Sequence, residues 1–214
     1  MTNQLRITEI FYSIQGESQT VGLPTVFIRL TGCPLRCGYC DTAYAFQGGK
    51  WMAFPEILEK VGSYNAQYIT VTGGEPLAQK PCLALLKELC DTGYNVSLET
   101  SGALTLSGVD PRVIKVMDVK TPGSGESKKN MLSNFEHLSK QDQIKFVICD
   151  REDYLWSKAV IEKHHLEKCC EILMSPSFGK IELKALAEWI LQDNLPVRLQ
   201  LQLHKIIWGD EPGR

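Results

Sequence analysis

Seven stretches of the chain have strand length and apolar or alternating character: TVFIRLT (25–31), YITVT (68–72), NVSLET (95–100), VIKVMDV (113–119), QIKFVIC (143–149), CEILMS (170–175) and VRLQLQL (197–203). Helical spacing appears between several of them, in PEILEKVG, PCLALLKELCDTG, EDYLWSKAVIEKHH and KIELKALAEWILQDN. Pro55 and Pro81 stand at first-turn positions and Gly93 at a helix end, where each residue type fits the backbone. Strand–helix alternation of this kind predicts an α/β fold: a parallel sheet with helical crossovers, open or rolled into a barrel. In the last run Leu199, Leu201 and Leu203 share one face, and Arg198, Gln200, Gln202 and His204 share the other. A closed barrel buries apolar side chains on both faces of its strands. The half-polar run therefore fits a partial barrel around a polar interior, or equally an edge strand with one wet face.

Six of the seven predicted strands run into a conspicuous segment: RLTGC, VTGGEP, LETSG, MDVKTPG, MSPSFG and LQLHK. Sites in parallel α/β folds form at the carboxyl ends of the strands, so these segments predict one convergent site. No internal repeat, low-complexity tract or long linker interrupts the 214 residues, which read as one domain, 1–214. The stretch TPGSGESKKN (121–130) is only loop-sized.

Charge narrows the partners. A formal net charge of −2 carries no electrostatic footprint for nucleic acid or an anionic membrane. The start lacks a basic and apolar leader, and no apolar run reaches the length of a membrane span, so a cytoplasmic location is expected. In a reducing compartment the eight cysteines point to metal binding or catalysis rather than disulfides. Cys82, Cys90, Cys149, Cys169 and Cys170 lie in apolar surroundings and read as buried thiols.

Cys33, Cys37 and Cys40 differ. They form C-x3-C-x2-C on a loop directly after a predicted strand, with no fourth cysteine beside them. Structural zinc wants four ligands, and the His164-His165 and Cys169-Cys170 dipeptides are poor clamps because neighbouring side chains diverge. An iron–sulfur cubane held by three thiolates leaves one iron open to an exogenous molecule. Glycines 73 and 74 in VTGGEP permit close approach of the chain to a ligand.

The cysteine spacing together with VTGGEP resembles the radical S-adenosylmethionine (SAM) superfamily. That resemblance implies a partial (β/α) barrel and a [4Fe–4S] cluster held by Cys33, Cys37 and Cys40. It also implies SAM on the open iron, cleaved to a 5′-deoxyadenosyl radical. Only about two dozen residues separate the cysteine loop from the strand before VTGGEP, so the barrel is expected to be trimmed relative to a full six-repeat core.

FYSIQGESQTVGLPTVFIRLTGC (11–33) and CDT (40–42) resemble the 7-carboxy-7-deazaguanine synthase family, whose members contract a carboxylated tetrahydropterin on the way to queuosine. The likeness continues through LETSG, MSPSFG and LQLHK and is less telling between about 103 and 170. It implies that Ile14, Gln15 and Gly16 face the pterin with Glu17 close by, and that Arg29 takes the substrate carboxylate. The guanidinium fork suits a carboxylate, and Arg29 alternates away from Val26, Ile28 and Leu30. Thr42 matches the family's magnesium ligand. Thr72 and His204 fall on the substrate side, with Glu99 as an acceptor for the donor-rich pterin edge. Gly74, Glu75, Ser101, Gly102, Ser175 and Pro176 fall on the SAM side. Asp118, Val119 and Lys120 stand where the family carries a Ser-Pro-Lys segment, a partial match. The family further implies a reductant such as flavodoxin or ferredoxin, and a homodimer. Two other readings remain: an activase that makes a glycyl radical on a partner protein, needing an exposed docking face, and a non-catalytic iron–sulfur protein, with no use for an open iron.

Overall fold

A computed structural model describes residues 3–209, 211 and 213. Its strands are β1 (Gln4–Ile14), β2 (Pro24–Leu30), β3 (Lys50–Ala53), β4 (Tyr68–Gly73), β5 (Asn95–Thr100), β6 (Ile114–Asp118), β7 (Gln143–Ile148), β8 (Glu171–Pro176) and β9 (Arg198–Leu199). The helices are α1 (Phe54–Gly62), α2 (Cys82–Asp91), α3 (Arg151–His164), α4 (Leu183–Gln192) and α5 (Leu203–Trp208). One sheet runs in the order β3-β1-β2-β4-β5-β6-β7-β8-β9. Strands β1 and β3 pair antiparallel, and every pairing from β2–β4 onward is parallel.

Alternation along the parallel strands sorts the two faces. Val26, Ile28, Leu30, Ile69, Val71, Val96 and Leu98 point outward into one core with α1 and α2. Met117, Val119, Ile144, Phe146, Ile148, Ile172 and Met174 point outward into a second core with α3 and α4. Their strand neighbours face inward and are strongly polar: Thr25 and Arg29, Thr70 and Thr72, Ser97 and Glu99, Asp118, Gln143 and Lys145, Ser175. Burial of the apolar face curls the sheet into a partial barrel around a hydrophilic interior. The hairpin loop after β1 reaches across to β7, where the Gln19 amide donates to Gln143 at 2.9 Å.

Three expectations need correction. Strands β1 and β3 carry no counterpart in the predicted set. In β1 the core-facing residues Leu5, Ile7 and Ile10 slip by one position at a bulge between Ile7 and Glu9, which breaks the period-two signature. The barrel is trimmed, but not at the first crossover, which holds β3 and α1. The crossovers β5–β6 and β6–β7 carry no α-helix: the first is loop and turn, the second three short 3₁₀ segments. The run 197–203 is a strand for only two residues. Its last ladder bond is Gln200 N–H to Met174 C=O, and the Gln200 side chain then donates to the Leu201 carbonyl at 2.8 Å. That local bond competes with the ladder, and the chain turns into α5.

Candidate active site

The inward face and the strand ends enclose a cavity of about 640 Å³. Its floor is a hydrogen-bonded layer. Gln15 Nε2 donates to Thr70 Oγ1 at 3.1 Å and to Glu99 Oε1 at 3.4 Å, Thr72 Oγ1 donates to Glu99 Oε2 at 2.9 Å, and Thr70 pairs with Ser97. This layer fixes the Glu99 carboxylate facing the cavity. On one wall the Arg29 Nε donates to Glu9 Oε1 at 2.7 Å, with the guanidinium over the rings of Phe11 and Tyr44. The Nε edge is thus used, and Arg29 lines the cavity. Tyr44 donates to the same Glu9 oxygen, and burial and that acceptor push its phenol up to about 12 despite the Arg29 charge.

The cysteine loop leaves β2 and lies over this cavity, which Cys33, Cys37 and Cys40 all line. Main-chain bonds hold it: Gly32 N–H to Ala45, Gly38 N–H to Ser124, and Glu75 N–H to Gly32. Gly73 and Gly74 make that last docking possible. A Cβ at Gly73 would strike the Leu30 backbone, and one at Gly74 would strike the Gly32 carbonyl and lie 2.9 Å from the Cys33 Cβ. What approaches these glycines closely is the chain's own cysteine loop. Among the described residues no three His, Cys, Asp or Glu side chains converge as ligands of one ion do. A cubane takes each thiolate on a separate iron, and three thiols of one loop opening onto one cavity are a donor set that fits it. Asp118 Oδ1, a buried acceptor with no partner, borders the same space and suits a ligand that brings donors.

Opposite charges alternate across the interior. Glu17 pairs with Lys145 at 2.6 Å, Lys145 lies 3.7 Å from Asp118, and Asp118 pairs with Lys120 at 2.9 Å. Lys120 in turn lies over the Tyr39 ring, between two of the thiols. Burial by itself would raise the Glu17 carboxyl. The Lys145 charge and hydrogen bonds from Lys145 and Gln202 outweigh burial and hold it below its ordinary value. The stabilisation from this pair is therefore present above the unfolded carboxylate range and is lost as pH falls through the folded value.

Of the residues singled out in the sequence, Ile14, Gln15, Gly16, Glu17, Arg29, Thr42, Thr72, Gly74, Glu99, Ser101, Asp118, Lys120 and His204 line the cavity with the three cysteines. Four do not. The Glu75 side chain is fully buried and turned inward, accepting from Leu77 N–H, Thr100 Oγ1, Ser101 N–H and Ser101 Oγ. Val119 points outward into the second core. Ser175 is covered, and past Pro176 it is Ser177 and Phe178 that reach the cavity, two residues later than expected. His204 stands in the first turn of α5 rather than at a strand end. Gly102 is buried. Lys145, Tyr39, Tyr44 and Lys205 went unassigned, although alternation in QIKFVI already sets Lys145 opposite Ile144 and Phe146. Of the thiols read as core, Cys82 and Cys170 are buried, whereas Cys90, Cys149 and Cys169 are partly exposed.

Helix α5 closes the seam between β1 and β9. Leu203 N–H donates to the Gly16 carbonyl at 2.9 Å, Gln202 donates to Glu17, and Lys205 reaches Asp41 at 3.2 Å. The His204 ring sits so close over Gly16 that a Cβ there would strike it. Gly16→Ala is accordingly expected to unseat α5 and raise the exchange rate of the Leu203 amide about tenfold, while ladder amides of β4–β8 keep theirs. Equal rates for Leu203 in both proteins would show that α5 accommodates the methyl.

Residues 27–118 match the Radical SAM superfamily. A 7-carboxy-7-deazaguanine synthase of Chlorobaculum tepidum is 46% identical over 210 residues, covering 97% of this chain and 96% of the relative. One from Thermoplasma acidophilum is 37% identical over 209 residues, covering 97% and 99%. The crystal structure of QueE from Escherichia coli superposes with a TM-score of 0.78 at 24% identity, covering 94% of this chain and 95% of that one, and so shares the fold. Identity at this level over nearly the whole length of both chains places the protein: it belongs to the 7-carboxy-7-deazaguanine synthase family of radical SAM enzymes.

Proposed function

We propose that this chain, as one domain, converts 6-carboxy-5,6,7,8-tetrahydropterin to 7-carboxy-7-deazaguanine with loss of ammonia, in the route to queuosine. The observation that carries this reading is the single cavity onto which three thiols, Arg29 and the Glu99 carboxylate all open. When bound, the cluster and SAM supply hydrogen-atom abstraction from a substrate carbon. The chain's residues then bind, orient and shield. Cys33, Cys37 and Cys40 hold the cluster. Arg29 offers its Nη pair to the substrate carboxylate, since Glu9 already holds Nε. Glu99, fixed by Gln15 and Thr72, accepts from the aminopyrimidinone edge, and Ile14, Gly16, Glu17 and His204 complete the substrate side.

Gly74, Ser101, Asp118 and Lys120 flank SAM. Thr42 contributes a hydroxyl to a magnesium ion whose other ligands are substrate oxygen and water, in keeping with that ion's retention of water. Flavodoxin or ferredoxin supplies the electron to a cytoplasmic homodimer. No helix among the described residues is long and apolar enough to cross a membrane. A cavity of about 640 Å³ lined by Gln15, Glu17, Arg29 and Glu99 suits a small polar molecule better than the protein substrate that a glycyl-radical activase would dock.

The test is anaerobic incubation of cluster-loaded protein with SAM, magnesium, reductant and 6-carboxytetrahydropterin, with products followed by mass spectrometry. Deazaguanine carboxylate in excess of 5′-deoxyadenosine is the expected result. 5′-Deoxyadenosine without that product would defeat the substrate assignment.

A further inference from the structure

Lys145 stands mid-strand on β7, inward of Ile144 and Phe146, with 14% of its side chain exposed. The charged groups that face it come from every wall. Glu17 approaches from the loop after β1, Asp118 from β6 and Glu99 from β5, with Lys120 as the neighbouring like charge. His204 on α5 faces Glu17 from the other side. Glu17 itself is 8% exposed and has one further side-chain donor, the neutral Gln202 amide at 2.9 Å.

Resting on the pterin reading above, we propose that Lys145 is a positioning residue: its ammonium anchors the Glu17 carboxylate toward the N–H donors of the substrate and ties the substrate loop to the cofactor strand through Asp118. Three carboxylates, Glu17, Glu99 and Asp118, line one cavity, with the Glu17 and Asp118 side chains only 11% and 16% exposed. Without Lys145, burial and mutual repulsion both favour a proton on Glu17. A protonated Glu17 presents an O–H where the ligand requires an acceptor. Proton uptake by Glu17 weakens binding as pH falls, and binding recovers as pH rises. Asp118 loses its second cation in the same change, keeping only Lys120, so the strand expected to flank SAM loosens from the substrate loop.

The experiment uses the cluster-loaded, anaerobic enzyme and isothermal titration with 6-carboxytetrahydropterin between about pH 6 and pH 8, where an ordinary carboxylate stays ionised. Every profile is normalised to the parent at the same pH, which cancels what His204 on the substrate side contributes and makes the parent's own profile flat. Lys145→Met should bind about tenfold more weakly at the acid end and recover toward neutrality and above. Lys145→Arg, which keeps the charge, should again be flat. Glu17→Gln should bind weakly at every pH, and adding it to Lys145→Met should remove the pH dependence. A flat profile for Lys145→Met, or the same loss in Lys145→Arg, overturns the proposal. Unchanged cluster absorbance and a single cooperative thermal transition certify folding of each variant. Infrared difference spectra judge the pair without any substrate: Lys145→Met should show a protonated-carboxyl band at the acid end that Glu17→Gln removes, and its absence counts against the pairing. A parent enzyme that does not bind the pterin defeats the functional reading, and a positive infrared result beside it would show that the failure lies there.

Discussion

Cys37→Ser is expected to yield a protein that folds as the parent does and produces no 5′-deoxyadenosine above background, a loss of at least about three orders of magnitude, or ~4 kcal/mol of lost transition-state stabilisation. Three thiolates are already the fewest that hold a cubane with an iron left open, and a serine hydroxyl is a poor replacement for a soft sulfur ligand. The main-chain bonds that fasten the loop do not run through the thiols. Gly32, Gly38 and Glu75 fasten it through main-chain bonds to Ala45, Ser124 and Gly32, and the Arg36 amide donates to Glu126 at 2.6 Å. The check is paired: visible absorbance and iron content after reconstitution, then thermal melts of the two metal-free proteins. Coincident melts with absorbance lost only in the variant are expected. A melt displaced by many degrees would mean that Cys37 also serves the fold.

Glu75→Ala should be the most damaging substitution for stability away from the thiols, costing about 3–4 kcal/mol. The Glu75 carboxylate is fully buried and receives the Leu77 and Ser101 amides at 3.0 and 2.8 Å and the Thr100 and Ser101 hydroxyls at 2.9 and 2.5 Å. Truncation leaves buried amides and hydroxyls without acceptors, and each carries its own desolvation cost. The end of β4 also loses its tie to the end of β5. Urea denaturation should show a lower midpoint at unchanged slope. A change under about 1 kcal/mol would mean that water replaces the carboxylate, and the brace would then be dispensable.

The contrast between these two positions shows how far a linear chain can be read. The cysteine spacing is a local property, so its chemistry is legible without a fold. Glu75 lies in the same kind of short motif, yet only its inward rotation separates a brace from a ligand contact, and that rotation depends on β5 being next to β4. The bulge in β1 illustrates the other failure. A slip of one residue between Ile7 and Ile10 keeps both in the core while erasing the alternation that would announce a strand.

By itself the sequence determined the thiol loop, the parallel strands β2 and β4–β8, the helices α1–α4, and a polar site at the strand ends. All of these rest on spacings of a few residues. Tertiary structure alone decided which side chains meet across the interior. Lys145 and Glu17 are 128 positions apart, and Gln202 and Glu17 are 185 apart. It also cut the last run to a two-residue strand and carried His204, in the first turn of α5, over Gly16. Periodicity reports which face a residue takes; the partner on the facing wall is set by the curl of the sheet, which depends on all nine strands packing at once.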